Sequence, residues 1–277
     1  MPIEHVETGA FAKEEVPLGQ TTALRLVTWN IARGTQLDAI AEFLATASAD
    51  VIVLQETDTN ARRTGYRDVA KEIARKLGMN YAFGVEFQEL AEGSPDAPAY
   101  HGQATLSRWP LSGCRILRFR KQSKFWHPYW WMPRLATLQR RLGGRMALLS
   151  HVTIGDRMVV VYNLHLESRN SDDLRRSQLA ELFEDAHRYG SGTPMVVAGD
   201  FNFDLTESSV ASAIEEMHFH NPFKKERVQT TRSRSLARSG TIDGILTRGP
   251  LDPTVAQVHR LVSASDHYPL VLDLKLS

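Results

Sequence analysis

The chain has 277 residues, 42% hydrophobic and 23% charged, with 33 lysines and arginines against 32 aspartates and glutamates, a net charge of +1. This balance excludes disordered, collagen-like and low-complexity classes, and a chain of this length buries about 70–75% of its unfolded surface, so folding requires neither a disulfide nor a structural metal. The lone cysteine, Cys114, excludes an internal disulfide and a cysteine-cluster zinc site.

The polar stretch Met1–Gln20 has no basic region leading into an apolar core, and no apolar run approaches the roughly 20 residues that span a bilayer, so a cytoplasmic location is expected. Residues 1–22 read as an N-terminal extension and 23–277 as one domain. Leu24–Trp29 reads as a strand ending at Asn30, and a helix follows over Gln36–Thr46. Val51–Leu54 is a strand running into Gln55-Glu56, followed by a helix over Asp68–Leu77. Arg157–Tyr162 is a strand leading through Asn163-Leu164 to His165. A helix over Asp172–Arg188 follows, with Asn170 or Ser171 as its cap. Met195–Ala198 ends at Gly199-Asp200-Phe201-Asn202, and Glu207–Met217 is a fourth helix. Thr241–Leu246 carries Asp243, Gly249-Pro250-Leu251 is a turn, and Ser265-Asp266-His267 precedes a last strand, Tyr268–Leu274. Continuous Val/Ile/Leu runs alternating with helices imply an α/β fold with two or more sheets buried on both faces.

Each of these strands ends in, or carries, a chemically capable residue: Asn30, Glu56, His165, Asp200, Asn202, Asp243, Asp266 and His267. Strand tips of an α/β scaffold converge at one sheet edge. Oxygen donors without cysteine suit a hard cation, Mg²⁺ or Mn²⁺, and two histidines with carboxylates and amides can position water and neutralise a phosphoryl group. Each residue also has a plainer reading. Asp200 fits an Asx turn and Asn30 a strand-end turn, while His165 fits a satisfied core position and His267 the surface. Glu56 after VIVLQ and Asp243 inside an apolar strand are harder to place without a partner.

Seven short motifs occur in order: Thr-Trp-Asn-Ile at 28–31, Leu-Gln-Glu at 54–56, Gly-x-x-x-Leu-Ser-Arg at 102–108, Asn-Leu-His-Leu at 163–166, Gly-Asp-Phe-Asn at 199–202, Ile-Asp-Gly-Ile at 242–245 and Ser-Asp-His at 265–267. Over about 240 residues the chain therefore resembles the endonuclease/exonuclease/phosphatase superfamily, the deoxyribonuclease-I-like fold. The resemblance implies a four-layer α/β/β/α sandwich of two packed mixed sheets and metal-dependent in-line hydrolysis of a phosphoester. It implies Glu56 as principal ligand of Mg²⁺ or Mn²⁺, with Asn30 beside it and Asp266 binding or tuning the metal. Asp200, helped by Asn202, would orient or deprotonate the attacking water. His165 and His267 would hold the phosphate, and Asp243 would orient His267. Arg108 of the third motif is a candidate for binding substrate phosphate, with an ion-paired structural arginine as its alternative. His165 resembles the branches that hold deoxyribonucleases, sphingomyelinases, inositol-polyphosphate phosphatases, deadenylases and 5′-tyrosyl-DNA phosphodiesterases. His-Leu-Glu-Ser at 165–168 and Thr-Trp-Asn at 28–30 resemble the last of these, while Gly-Asp-Phe-Asn and Ser-Asp-His-Tyr-Pro equally resemble sphingomyelinase-like and unassigned bacterial members, so these residues leave the branch open.

Substrate class is sought in the charge pattern. From Ala97 to Gly155 there is no acidic residue, while ten arginines and lysines interleave with aromatic residues that include four of the five tryptophans. One reading is a groove for single-stranded or frayed nucleic acid, with cations tracking phosphates and rings stacking on bases. A second is a loop on an anionic membrane lipid surface, and a third is a core-packing loop with a solvated basic rim. A further basic run, Lys224 to Arg238, precedes Asp243 and offers Arg232 and Arg234 as substrate-binding residues. Nucleic acid ranks first, a sphingomyelinase-like or inositol phosphate hydrolase second, and a non-catalytic binding module on the same fold is the reading from another class. No protein partner is inferable from the chain.

Overall fold

The computed structural model describes residues 3–12, 23–123, 131–133, 135–169, 171–224, 229–231 and 241–277. Two mixed β-sheets pack face to face, with helices on both outer faces. The larger sheet contains β1 (Val6–Gly9), β2 (Ala23–Arg33), β3 (Val51–Thr59), β4 (Asn80–Ser94), β5 (Ala97–Ser107), β7 (Arg141–Gly143), β12 (Leu251–Val258) and β13 (Leu270–Leu276). Its order is β1-β4-β5-β3-β2-β13-β12, with β7 also pairing to β4. The smaller sheet runs β11 (Asp243–Arg248), β10 (Met195–Asp200), β9 (Arg157–His165), β8 (Met146–Ile154), β6 (Leu111–Arg118). Each sheet has one parallel pair at its centre, β2 with β3 and β9 with β10.

The period-2 alternation of the central strands explains the layers. Leu24 and Leu26 of β2 and Val51 and Val53 of β3 face the other sheet, meeting Val159, Val161, Val196, Ala198 and Ile245. The alternate residues Val27, Trp29, Ile52 and Leu54 face outward, against Ile40 and Leu44 of α1 (Leu37–Ala47) and Ile73 of α2 (Val69–Leu77). In the smaller sheet Val160, Tyr162, Leu164 and Val197 face Leu179 and Leu182 of α3 (Asp172–Ala186) and Val210 and Ile214 of α4 (Ser208–Glu216). The strands therefore read as continuous apolar runs because both faces are covered, giving the α/β/β/α order the sequence motifs imply.

Local departures have local causes. Asp68 caps α2, accepting from the Lys71 N–H at 3.2 Å, whereas Ser171 at the head of α3 makes no side-chain cap bond and Asn170 lies outside the described residues. The helix expected to run to Arg188 ends at Ala186, in a turn where the His187 and Arg188 amides still bond to Phe183 and Asp185. Within the segment read as an N-terminal extension, Val6–Gly9 adds a strand to the edge of β4; four residues are too short for periodicity to reveal. Strands β4, β5, β8 and β12 carry mixed polar and apolar patterns that the sequence reading did not resolve into elements. Among the described residues no helix is long and apolar enough to cross a membrane.

Candidate active site

Strand register lays down the first half of the site. In the smaller sheet His165 is paired across from Asp200, and Asp200 across from Asp243, so one row over three neighbouring strands carries all three. The other half is at the C-terminal ends of β2 and β3 in the larger sheet, where Asn30 pairs with Gln55. Strict alternation would turn Gln55 and Glu56 to opposite faces. The pairing instead breaks on both sides of β3, between Asn30 and Arg33 on β2 and between Leu54 and Thr57 toward β5. Glu56 at this bulge takes a left-handed φ of 53°. Both side chains can then face the opposing sheet, which is how bulges re-aim residues at functional sites.

The two halves meet through directional bonds. Gln55 Nε2 donates to Asn163 Oδ1 at 2.8 Å, and Asn163 Nδ2 donates back to the carbonyls of Leu54 and Ala104, both at 3.0 Å. Asn30 Nδ2 donates to Asp200 Oδ2 at 3.2 Å and, more weakly, to Glu56 Oε1 at 3.5 Å. Asn30, His165, Asp200, Asp243 and His267 are all buried, with His267 the least so at 9% exposed, and Glu56 and Asn202 are half-buried.

The turn readings of Asn30 and Asp200 hold for half of each side chain. Asp200 Oδ1 accepts the Asn202 N–H at 2.9 Å, an Asx turn closed by Asn202 at a φ of 56°. Asn30 Oδ1 likewise accepts the Ala32 N–H at 3.1 Å. The other oxygen of Asp200 looks into the site, 3.6 Å from His165 Nε2 and 3.8 Å from His267 Nε2. His267 Nδ1 lies 2.9 and 3.0 Å from the two oxygens of Asp243. Its main chain is held as well: the carbonyl accepts from Trp29 Nε1 at 2.9 Å and the amide donates to Ser265 Oγ at 3.2 Å. Asp266 is exposed at the rim, where its carboxylate accepts from Ser265 Oγ at 3.3 Å.

Electrostatics separates the two histidines. Burial would discharge His267, but Asp243 and Asp200 outweigh it and push the imidazole up to about 10, so it is cationic at neutral pH. Burial, joined by the charges of Arg145, His101 and His267, holds His165 well below its ordinary value, so it stays neutral. Burial and the adjacent Asp243 raise Asp200, against the pull of His267 and the bonds from Asn30 and Asn202. For Glu56, enclosure is outweighed by His101, Arg33, Arg145 and His267, which keep it ionised below the usual glutamate value.

Around this centre lie residues the sequence reading passed over. Glu86 accepts from Arg145 Nη1 at 2.5 Å and faces His165 Nδ1 at 3.7 Å. Asp58 is 2.8 Å from His101 Nδ1 and 2.6 Å from Arg63 Nε, and Arg63 and Arg141 both reach Glu89. The available signal was Glu86 inside the otherwise apolar run Tyr81–Phe87, where an acid demands a buried partner.

Three expectations are corrected or left aside. Arg108 follows β5 at the opposite end of β3 from Glu56; its N–H donates to the Asp50 carbonyl and its Nε lies 3.5 Å from the Asp50 carboxylate. Five residues of strand, about 17 Å, separate Asp50 from the site end of β3, so the structure places Arg108 in an ion pair with Asp50, apart from the residues gathered around Asp200. Among the described residues of the acid-free basic segment, several arginines are paired with acids from elsewhere in the chain: Arg115 with Asp185, Arg120 with Glu184, Arg141 with Glu89 and Arg145 with Glu86. Trp109 and Phe119 are core residues, while Trp131 is 62% exposed. Phe125, Trp126, Tyr129, Trp130, Arg232 and Arg234 lie outside the described residues.

Ligand-type atoms of Asp200, Asp243 and His267 lie within 4.8 Å of one another, close enough to share one metal ion. Among solved structures, an endonuclease/exonuclease/phosphatase from Beutenbergia cavernae DSM 12333 is similar at 22% identity, covering 92% of this chain and 72% of that one with a TM-score of 0.71. The human Nocturnin catalytic domain with bound sulfate anion is similar at 17% identity, covering 98% of each chain with a TM-score of 0.68. A humanized D. rerio TDP2 is also similar at 17% identity, covering 92% of this chain and all of that one with a TM-score of 0.62. No curated protein sequence matches the chain. The model of the Endonuclease/Exonuclease/phosphatase family matches residues 27–267, from inside β2 to the final histidine of the site. The chain belongs to the endonuclease/exonuclease/phosphatase family.

Proposed function

We propose that residues 23–277 form a divalent-metal-dependent phosphodiesterase that cleaves its substrate by in-line attack of water, with nucleic acid as the first substrate class. The observation that carries this reading is the meeting, across two sheets, of Asn30 and Glu56 with Asp200, His165, Asp243 and His267. A set so divided has no packing reason to be polar, and its members have the roles phosphoester hydrolysis needs.

Asp200 Oδ2 is the group to orient and accept a proton from water, because burial beside Asp243 makes it more basic than an ordinary aspartate. Asn202 fixes that carboxylate from the opposite oxygen. Cationic His267, aligned by Asp243, supplies a charged donor to a phosphoryl oxygen, and neutral His165 supplies a second polar group on the other side of Asp200. The donors fit a hard cation. Glu56 is held ionised yet among the described residues accepts one weak hydrogen bond, so its oxygens retain capacity for Mg²⁺ or Mn²⁺. Asn30 and the rim carboxylate of Asp266 would complete that seat, and the bound cation would neutralise charge on the phosphoryl oxygens.

Two things support nucleic acid over lipid headgroups. Thr28-Trp29-Asn30 and His165-Leu166-Glu167-Ser168 resemble the tyrosyl-DNA phosphodiesterase branch, and TDP2 is among the structures of similar fold. The sulfate bound to the Nocturnin domain, a tetrahedral anion, supports a phosphoester substrate of either kind. The test is hydrolysis of bis-p-nitrophenyl phosphate with Mg²⁺, with Mn²⁺ and with EDTA, in wild type, Asp200→Asn and His267→Ala. The expected result is metal-dependent turnover lost in both variants. Folded wild type that is inert toward diesters and monoesters with either metal would leave the binding-module reading in its place.

A further inference from the structure

The charges around Glu56 do not balance locally. Four basic side chains bear on it: His101, Arg33, Arg145 and His267. Three of these have a carboxylate of their own. His101 is paired with Asp58 at 2.8 Å, Arg145 with Glu86 at 2.5 Å and His267 with Asp243 at 2.9 Å. Arg33 has none. Among the described residues no carboxylate lies within 4.0 Å of its guanidinium, and its Nε is shut off from water without a hydrogen-bond partner.

An arginine in that state is expensive to hold, because a buried donor is normally satisfied. The backbone nevertheless holds it there. Ala32 and Arg33 adopt left-handed φ angles of 47° and 71°, and Gly34 continues the turn at 76°. A Cβ on Gly34 would come within 2.5 Å of Val69 Cγ1, so the absence of a side chain lets this turn pack down on α2. Arg33 then pairs with Thr57, the residue after Glu56, which brings it beside the site across the register break. Strained residues of this kind cluster at active sites and ligand clamps.

We infer that Arg33 is a substrate-binding residue whose missing partner is a phosphate of the substrate, either the scissile group or a flanking phosphate. The chemistry favours this partner: a half-buried planar guanidinium offers forked donors that match tetrahedral anions, and a charge-assisted bond formed away from bulk water is strong. The assignment rests on the phosphodiesterase reading for its choice of ligand, and the following experiment separates the two.

Inorganic phosphate is titrated calorimetrically into metal-free protein in EDTA, using wild type, Arg33→Gln and Arg33→Lys, with thermal unfolding of each to show that it is folded. Loss of charge-assisted bonds should weaken phosphate binding by about tenfold or more in Arg33→Gln, with partial recovery in Arg33→Lys. A role limited to tuning Glu56 would leave phosphate affinity unmoved. The assignment is overturned if wild type takes up no phosphate or if Arg33→Gln binds it within twofold of wild type. Where wild type turns over nucleotides, kcat/KM is compared on a dinucleotide with and without a 5′-phosphate. Equal loss on both places Arg33 on the scissile group, loss confined to the phosphorylated one places it on a flanking phosphate, and loss on neither overturns the assignment. Phosphate binding that depends on Arg33 in a protein inert toward every phosphoester would sink the phosphodiesterase reading while leaving Arg33 as an anion site.

Discussion

Two regions of this chain carry more charge than a fold requires, and they use it in opposite ways. The acid-free segment from Ala97 to Gly155 looks in sequence like an open basic surface, yet Arg115, Arg120, Arg141 and Arg145 are each matched by an acid from a distant element. The strand-tip residues look individually like turns and caps, yet they converge on one point with acids beside acids and a carboxylate, Asp200, pushed toward neutrality. Charge density along a sequence is thus a poor guide to surface field. Charge left uncompensated in three dimensions is the better one.

Asp200→Asn keeps the shape of the Asx turn and removes the base; turnover of bis-p-nitrophenyl phosphate should fall by about 10²–10⁴-fold, with unfolding temperature unchanged or raised because a penalised buried carboxylate is gone. Activity within tenfold of wild type would remove Asp200 from the chemistry. Asp243→Asn should cost about 10–100-fold by releasing the alignment of His267. The same variant sharpens a pH test in EDTA. His267 is raised from 6.5 to about 10 on folding, so its stabilisation is complete below about pH 6.5 and is lost as pH climbs through about 10. The unfolding temperature should decline over that window in wild type and decline less in Asp243→Asn; parallel curves would refute the pairing.

On the basic side, Arg115→Ala strips the buried Asp185 of one partner while Tyr162 and Arg188 remain. A stability loss of about 1–3 kcal/mol is expected by thermal or denaturant unfolding, with turnover changed less than twofold. A large activity loss at constant stability would return this segment to the substrate. Arg120→Ala breaks a surface pair with Glu184 and should cost no more than about 1 kcal/mol. Neither change should alter the salt dependence of nucleic acid binding.

Particular residues show how far the sequence carried. The layer order was legible because β2, β3, β9 and β10 are covered on both faces and so read as unbroken apolar runs. Asn30, Glu56, His165, Asp200, Asp243 and His267 were legible because each ends or interrupts such a run. Glu86 with Arg145 and Asp58 with His101 were not, since the partners are 59 and 43 residues apart on strands whose register no local pattern reveals. Arg108 stands apart from the strand-tip residues for the converse reason. Its motif lies in the right order, but β5 runs antiparallel to β3 and carries the residue to the far end of the sheet. Arg33 escaped notice because nothing in the order of residues announces a cation without a counter-ion.

The Gln55–Asn163 bridge has a consequence for motion. Apolar faces attract without direction, so two sheets joined only by Leu24, Val53, Val161 and their neighbours could slide past one another at small cost. Gln55 and Asn163 sit in that seam with bonds that hold at one offset only. The row on β9, β10 and β11 belongs to one sheet and Asn30 with Glu56 to the other, so shear between sheets would pull the site apart without unfolding either. The amide bridge acts as a dowel, fixing the offset of two sheets that each hold half of the site, as a subunit interface would between two chains.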